Sequence, residues 1–248
     1  MSGHSKWATT KHKKAVVDAK RGKLFAKLIK TIEVAARTGG GDPSGNPTLA
    51  DAIAKAKGQS VPNDNIDRAV KRGSGELGDA AAYEEITYEA YGPAGVAIMI
   101  DALTDNGNRT VADIRRWLSR NGGNLGTTGS VAWMFDRRGE ITIDGERYDE
   151  DTVMEAALEA GALDVQSEDG AFTVLTETTD FNAVQDGLRA KGIEWESAEL
   201  AMVPKNTVNV TGADAEQLVK LLDLLEDLDD VQKVYTNADL DVDSLAEV

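Results

Sequence analysis

Five of the six cations between residues 20 and 37 offer the first recognisable chemistry in this sequence. Lys20, Lys23, Lys27, Lys30 and Arg37 follow one another at separations of 3, 4, 3 and 7. On a helix turning about 100° per residue, those separations keep them on one stripe. Leu24, Phe25, Leu28, Ile29, Ile32, Ala35 and Ala36 fall on the opposite face. Solvated helix faces ordinarily mix signs and carry Glu–Lys pairs four residues apart, yet Glu33 is the one acid near this row. A nearly acid-free cationic stripe suits a polyanion, with an ordinary solvated face as the competing reading. Arg21 extends the row, and Lys71 and Arg72 add a pair at the end of a later helix.

Ahead of the stripe lie His4, Lys6, Trp7, Lys11, His12, Lys13 and Lys14. Repulsion among these lysines loosens the segment in isolation, and a phosphate backbone would offset it. Trp7 has two uses: stacking on an unpaired base, worth roughly 1–3 kcal/mol, or packing against the first helices. His4 and His12, the two histidines of the chain, read as phosphate contacts or bystanders rather than metal ligands.

A second basic row is formed by Arg109, Arg116 and Arg120, spaced by 7 and 4, with Val111, Ile114, Trp117 and Leu118 on the buried side. The following run, Gly122-Gly123-Asn124-Leu125-Gly126-Thr127-Thr128-Gly129, can present backbone N–H groups to a phosphate. It lacks the lysine of a nucleotide-binding loop, and a long turn is the simpler reading. Residues 104–110 supply helix-capping types, and Asp105 is a cap sooner than a metal ligand. No cysteine occurs, and no Gly-x-Ser-x-Gly or His-Glu-x-x-His motif. No catalytic residue, metal site or cofactor is therefore assigned. The remaining enzymatic reading is a metal-dependent hydrolase using Asp101 and Asp105, which needs both acids in one cleft.

The elements that must position these residues fall into three regions. Residues 1–78 read as a basic helical domain. Asn46-Pro47 caps a helix of about 47–58, and Pro62 and Asp64 open another that stops at Gly73. Residues 79–136 begin with period-two alternation, Ile86, Tyr88 and Ala90 opposite Glu85, Thr87 and Glu89. A buried strand over 96–103, a helix over about 109–121 and a strand over 130–135 follow. Residues 137–203 run strand, helix, strand, strand, helix, strand, the ferredoxin-like order. Residues 206–211, 213–228 and 231–236 add strand, helix and strand that pair with the second region. The fold class is α+β: an N-terminal all-helical domain and two ferredoxin-like-type α/β domains. The third domain, 137–203, is inserted into the second, 79–136 plus 204–240.

Charge follows this division. The 248 residues carry a net −16, but residues 1–75 hold 15 Lys/Arg against 6 Asp/Glu, and the rest 12 against 37. An asymmetry of +9 to −25 suggests a polyanion-binding region joined to something else. The acidic third region is a solubilising surface, a surface that repels nucleic acid, or a dock for a basic protein. No apolar run follows the first lysines, so the N-terminus does not read as a secretory signal, and no segment has the length of a membrane helix.

Several segments together resemble the YebC/PmpR family, whose mitochondrial relatives activate translation of a cytochrome oxidase subunit. They are Gly3-His4-Ser5-Lys6-Trp7, Lys11-His12-Lys13-Lys14-Ala15, Asp18-Ala19-Lys20-Arg21-Gly22-Lys23, Tyr91-Gly92-Pro93, Leu103-Thr104-Asp105-Asn106, Asn108-Arg109-Thr110 and Gly122-Gly123-Asn124-Leu125-Gly126. The chain departs from the family pattern at Thr48, Ala50, Asn63 and Gly107, where cations are common. The resemblance implies three domains with the third inserted in the second, no enzymatic activity, and a regulator of gene expression; the lack of cysteine and of a secretory signal reads as a cytoplasmic location. Its implied partner is nucleic acid, as a DNA-binding transcription regulator or as a ribosome-associated translation factor on ribosomal RNA. No membrane and no small-molecule substrate is implied.

Overall fold

Asn46 ties the first helices together. In the computed structural model, which describes residues 18–78, 82–168 and 170–240 and side chains from residue 22 on, α1 is Asp18–Gly39, α2 Pro47–Gly58 and α3 Asn63–Gly73. The Asn46 side chain accepts from Leu49 N–H at 3.2 Å, capping α2, while its amide donates to the carbonyls of Ala35 at 2.8 Å and Gly40 at 2.9 Å. One buried side chain thus satisfies groups at the end of α1 and the start of α2. Ile32, Ala35 and Ala36 of α1 pack on Leu49, Ala52 and Ala56 of α2 and on Ile66 and Ala69 of α3. The expected apolar face of α1 is therefore buried toward its C-terminal half, while Leu24 stays exposed.

The next unit is a four-stranded sheet in the order β3-β1-β2-β9, with β1 Glu84–Tyr91, β2 Ala97–Thr104, β3 Asn124–Leu125 and β9 Val231–Thr236. Two helices, α4 (Gly107–Arg120) and α7 (Gly212–Glu226), cover one face. Ile114 and Leu118 of α4 meet Leu218, Leu221 and Leu225 of α7 over Ile98, Ile100 and Val234. The pairing of β2 with β9 joins strands separated by the whole third unit.

That third unit contains β4 (Phe135–Asp144), α5 (Glu150–Glu159), β5 (Asp164–Glu168), β6 (Ala171–Thr176), α6 (Phe181–Ala190) and β7 (Ser197–Pro204). Its sheet order, β5-β6-β4-β7, all antiparallel, is the ferredoxin-like arrangement expected from the element order. Ile141 and Ile143 pack on Val153 and Ala157 of α5 and on Val184 and Leu188 of α6.

Three expectations need correction. The strand anticipated over 130–135 is a short 3-10 turn at Ala132–Met134, and the strand begins at Phe135 and runs unbroken to Asp144. The strand β8 (Val208–Val210) does not join the main sheet. It pairs in parallel with β10 (Ala238–Leu240) as a separate ribbon, with Val208 N–H donating to the Asn237 carbonyl. Glu89, placed by alternation on the polar face, is buried. Both faces of its sheet are covered, because Ala97, Met99 and Tyr235 pack on Phe135 and Ala201 of the third unit. Among the described residues, no helix is long and apolar enough to cross a membrane.

A titratable group sits where these two units meet. Glu140 lies opposite Glu199 in the β4–β7 register, and Glu199 pairs with Lys233 of β9 at 2.5 Å. Burial, and then the Glu199 carboxylate, push the Glu140 carboxyl up to about 7 against the pull of Lys233. A native pKa raised above the unfolded one contributes stability that is complete below the unfolded value and is lost as pH rises through 7. Urea unfolding followed from pH 5 to pH 8 should show the parent losing on the order of 2 kcal/mol, and the Glu140→Gln variant should give a flatter profile over that interval.

Candidate nucleic-acid interface

The C-terminal end of α7 gathers Lys23, Lys27, Lys30 and Arg109 of the expected cations. Asp223, Glu226, Asp227, Asp229 and Asp230 crowd this end, and the last turn contains no basic residue. Unpaired carbonyls and the helix dipole already make such an end negative, so the acids need cations from elsewhere. They come from α1. Lys23 Nζ donates to the Asp227 carbonyl at 3.1 Å and lies 3.5 Å from its carboxylate. Lys27 Nζ donates to the Glu226 carbonyl at 2.5 Å. Lys30 Nζ donates to the Asp229 carbonyl at 3.0 Å and to Asp230 Oδ1 at 2.8 Å, and lies 5.6 Å from the centre of the Tyr83 ring.

Asp230 is the centre of this arrangement. Its other oxygen, Oδ2, accepts from Arg109 Nη2 at 2.7 Å and from Thr110 Oγ1 at 2.9 Å, and its carbonyl accepts from Leu103 N–H at 2.8 Å. Only 8% of Asp230 is exposed. Burial works against its charge, but hydrogen bonds from Lys30, Arg109 and Thr110 outweigh it and hold the carboxyl at about 2. Arg109 also bonds Asp105 at 2.7 Å. Helix α4 starts here because Asn106 caps it, accepting from Arg109 N–H at 3.1 Å.

Other expected residues lie elsewhere. His4, Lys6, Trp7, Lys11, Lys13 and Lys14 fall outside the described residues, and Lys20 and Arg21 are placed on α1 without description of their side chains. Arg37 is exposed in the last turn of α1. Lys71 is exposed on α3, and Arg72 bonds the buried Glu33 at 2.9 Å. Arg116 and Arg120 are exposed further along α4, with guanidinium centres 5.0 and 6.0 Å from the ring centre of Trp117. Trp117 and Val111, expected on the buried side with Ile114 and Leu118, are only half-buried.

The glycine-rich loop already holds an anion of its own. Glu89 Oε1 accepts from Gly129 N–H at 2.6 Å, and Oε2 from Val131 and Ala132 N–H at 2.7 and 2.8 Å. Burial raises the pKa of this carboxyl, but the amide donors more than compensate and leave it lowered. The metal-hydrolase reading loses its footing, since Asp101 accepts from Thr87 at 2.7 Å while Asp105 is taken by Arg109. Among the described residues no group of acids or histidines is arranged to hold a metal. The partners that sequence reasoning missed are Asp230 and the carbonyls of Glu226, Asp227 and Asp229. The signal available was a helix end crowded with acids and lacking any basic residue of its own.

The architecture is that of a three-unit α+β protein, with a helical N-terminal unit followed by two sheet units nested one in the other. The chain belongs to the TACO1/YebC family: residues 5–76 match the TACO1/YebC protein N-terminal domain and residues 83–238 the TACO1/YebC second and third domain. It is 57% identical over 248 residues to a "probable transcriptional regulatory protein" of Mycolicibacterium gilvum, covering 100% of this chain and 99% of that one. It is 56% identical over 240 residues to one of Desulforapulum autotrophicum, covering 97% of each. The crystal structure of a conserved hypothetical protein from Aquifex aeolicus superposes with a TM-score of 0.83 at 43% identity, over 92% of this chain and 94% of that one.

Because Asp230 is held well below the ordinary carboxylate range, its contribution to stability is present above about pH 4 and lost as pH falls toward 2. Asp230→Asn should lower the urea midpoint clearly at pH 7, and the gap between variant and parent should have narrowed by more than half at pH 2.5. A gap independent of pH would mean that the charge of Asp230 is not what stabilises this junction.

Proposed function

We propose that this protein is a non-enzymatic, cytoplasmic regulator of gene expression that binds nucleic acid through two cationic surfaces. One is the N-terminal segment with the stripe of α1: His4, Lys6, Trp7, Lys11, Lys13, Lys14, Lys20, Arg21, Lys23, Lys27, Lys30 and Arg37, with Lys71 and Arg72 beside it. The other is α4, with Arg109, Arg116 and Arg120. The observation that carries the reading is the pair Arg116 and Arg120. They are exposed, flank an aromatic ring, and have no carboxylate partner among the described residues. In a chain with 43 acids against 27 Lys/Arg, unpaired arginines on one helix mark a surface kept available for an anion. Arginine also lends itself to contacts with phosphate oxygens. Neutralising phosphates supplies affinity and register, and base identity is read by other means.

The relatives' names, probable transcriptional regulatory proteins, favour transcription, where DNA would be the nucleic acid bound. The acidity of the third unit favours a second reading, a translation factor on ribosomal RNA. There Arg138, Arg147, Arg189 and Lys191 are paired with Glu177, Glu194, Asp186 and Glu159, so the surplus of acids dominates its surface. A long duplex repels such a surface, whereas a ribosome presents basic proteins as well as RNA. Crosslinking in cells, with sequencing of both DNA and RNA, distinguishes the two.

Arg116→Glu with Arg120→Glu should weaken binding to a labelled duplex or single strand. Each lost phosphate contact should reduce the log–log salt slope by about 0.9 on duplex or about 0.7 on single strands. Unchanged affinity and slope in this variant would remove α4 from the interface.

A further inference from the structure

The lysines of α1 are at once the best polyanion-binding stripe in the sequence and the residues that dock α1 on α7. Their partners are oxygen acceptors, some of them anionic as phosphate oxygens are: the carbonyl oxygens of Glu226, Asp227 and Asp229 and the carboxylates of Asp227 and Asp230. These bonds join residues about 200 positions apart in the chain. A phosphate approaching these ammoniums competes with the acids for their charge and is repelled by the Asp227 and Asp230 carboxylates beside them.

The junction is graded. The Lys30 side chain is 17% exposed and its Asp230 partner 11%, whereas Lys23 and Asp227 are 43% and 45% exposed. The Lys30 end is shielded, and the Lys23 end is open to solvent and to salt, where an ion pair contributes little. A competing polyanion can therefore enter at Lys23 and displace the contacts in turn toward Lys30. Asp230 itself stays in place, since Arg109, Thr110 and the Leu103 amide hold it from within its own unit.

We propose that the end of α7 is a built-in mimic of a polyanion, which holds the α1 lysines in a closed form that nucleic acid must displace. This rests on the reading that the protein binds nucleic acid, and adds to it the regulation of that surface. Binding affinity is then reduced by the fraction of molecules that are closed. Partners or solution conditions that loosen the α1–α7 contact would raise it. The acids on α7 have a second effect: they deny the stripe to weak or short anions that cannot match several contacts together.

The test uses the full chain, which has no cysteine of its own. Nitroxide labels at Asp51→Cys on α2 and Glu216→Cys on α7, both exposed, report the separation of the two units by pulsed electron resonance. The free protein should give one narrow distance. A saturating 30-nucleotide RNA or DNA strand should lengthen or broaden it, and Lys23→Gln with Lys27→Gln and Lys30→Gln should do so without ligand. A strand that binds by fluorescence anisotropy while the distance stays unchanged overturns the proposal. If neither strand binds, the nucleic-acid reading fails, and heparin decides the closure alone: a changed distance supports it and an unchanged one overturns it. In the binding assay, Asp227→Asn with Asp230→Asn should tighten RNA or DNA binding about three- to tenfold. Glu150→Gln with Asp151→Asn, the same charge change on α5, should not, and an equal gain in both variants would overturn the proposal as a general charge effect.

Discussion

The negative end of α7 is the constraint around which the rest of this structure is organised. A helix finishing among Asp223, Glu226, Asp227, Asp229 and Asp230 adds acidic charge to its own unsatisfied carbonyls, with no basic residue in its last turn to offset it. Helix α1 has the opposite imbalance, a row of lysines with almost no acid. Each element is electrostatically incomplete, and each supplies what the other lacks. Arg109 brings the start of α4 to the same point through Asp230. Elements from two units thus meet at one carboxylate, and the helical unit gains a defined position on the sheet unit through charge.

Much of the fold was legible from local pattern. The C-terminal half of the apolar stripe of α1, the Asn46-Pro47 cap, the stop at Gly73 and the strand–helix order of the third unit all follow from period and capping chemistry, and the structure places them as expected. The third unit read well because each of its strands packs one face against its own helices, so that burial and alternation agree. Local pattern failed where a second layer intervened. Glu89 sits at a polar position of an alternating strand, yet the arrival of the third unit buries it, and the amides of Gly129, Val131 and Ala132 make that burial tolerable. The same capture tightens residues 129–132 into a turn and delays the expected strand until Phe135.

The cationic residues were legible as a stripe but not as a contact. Helical spacing places Lys23, Lys27 and Lys30 together, and nothing in spacing identifies a partner about 200 residues away. Among the described residues Arg116 and Arg120 have no such partner, because α4 directs its other face to the core through Ile114 and Leu118. The two rows therefore differ in a way that spacing alone could not reveal: the lysines are engaged within the chain, while these arginines rest on Trp117.

The nesting of one unit within another also sets an order of events during synthesis. Strand β2 pairs with β1 on one side and with β9 on the other, but β9 is made only after all of residues 137–203. The third unit, whose strands and helices are contiguous in the chain, can assemble as soon as it emerges, while the sheet that hosts it waits with one long flank uncovered. The acids that receive the α1 lysines emerge in the same late stretch as β9. Until that stretch is made, the growing chain thus displays its lysine row without the counter-charge that folds it away.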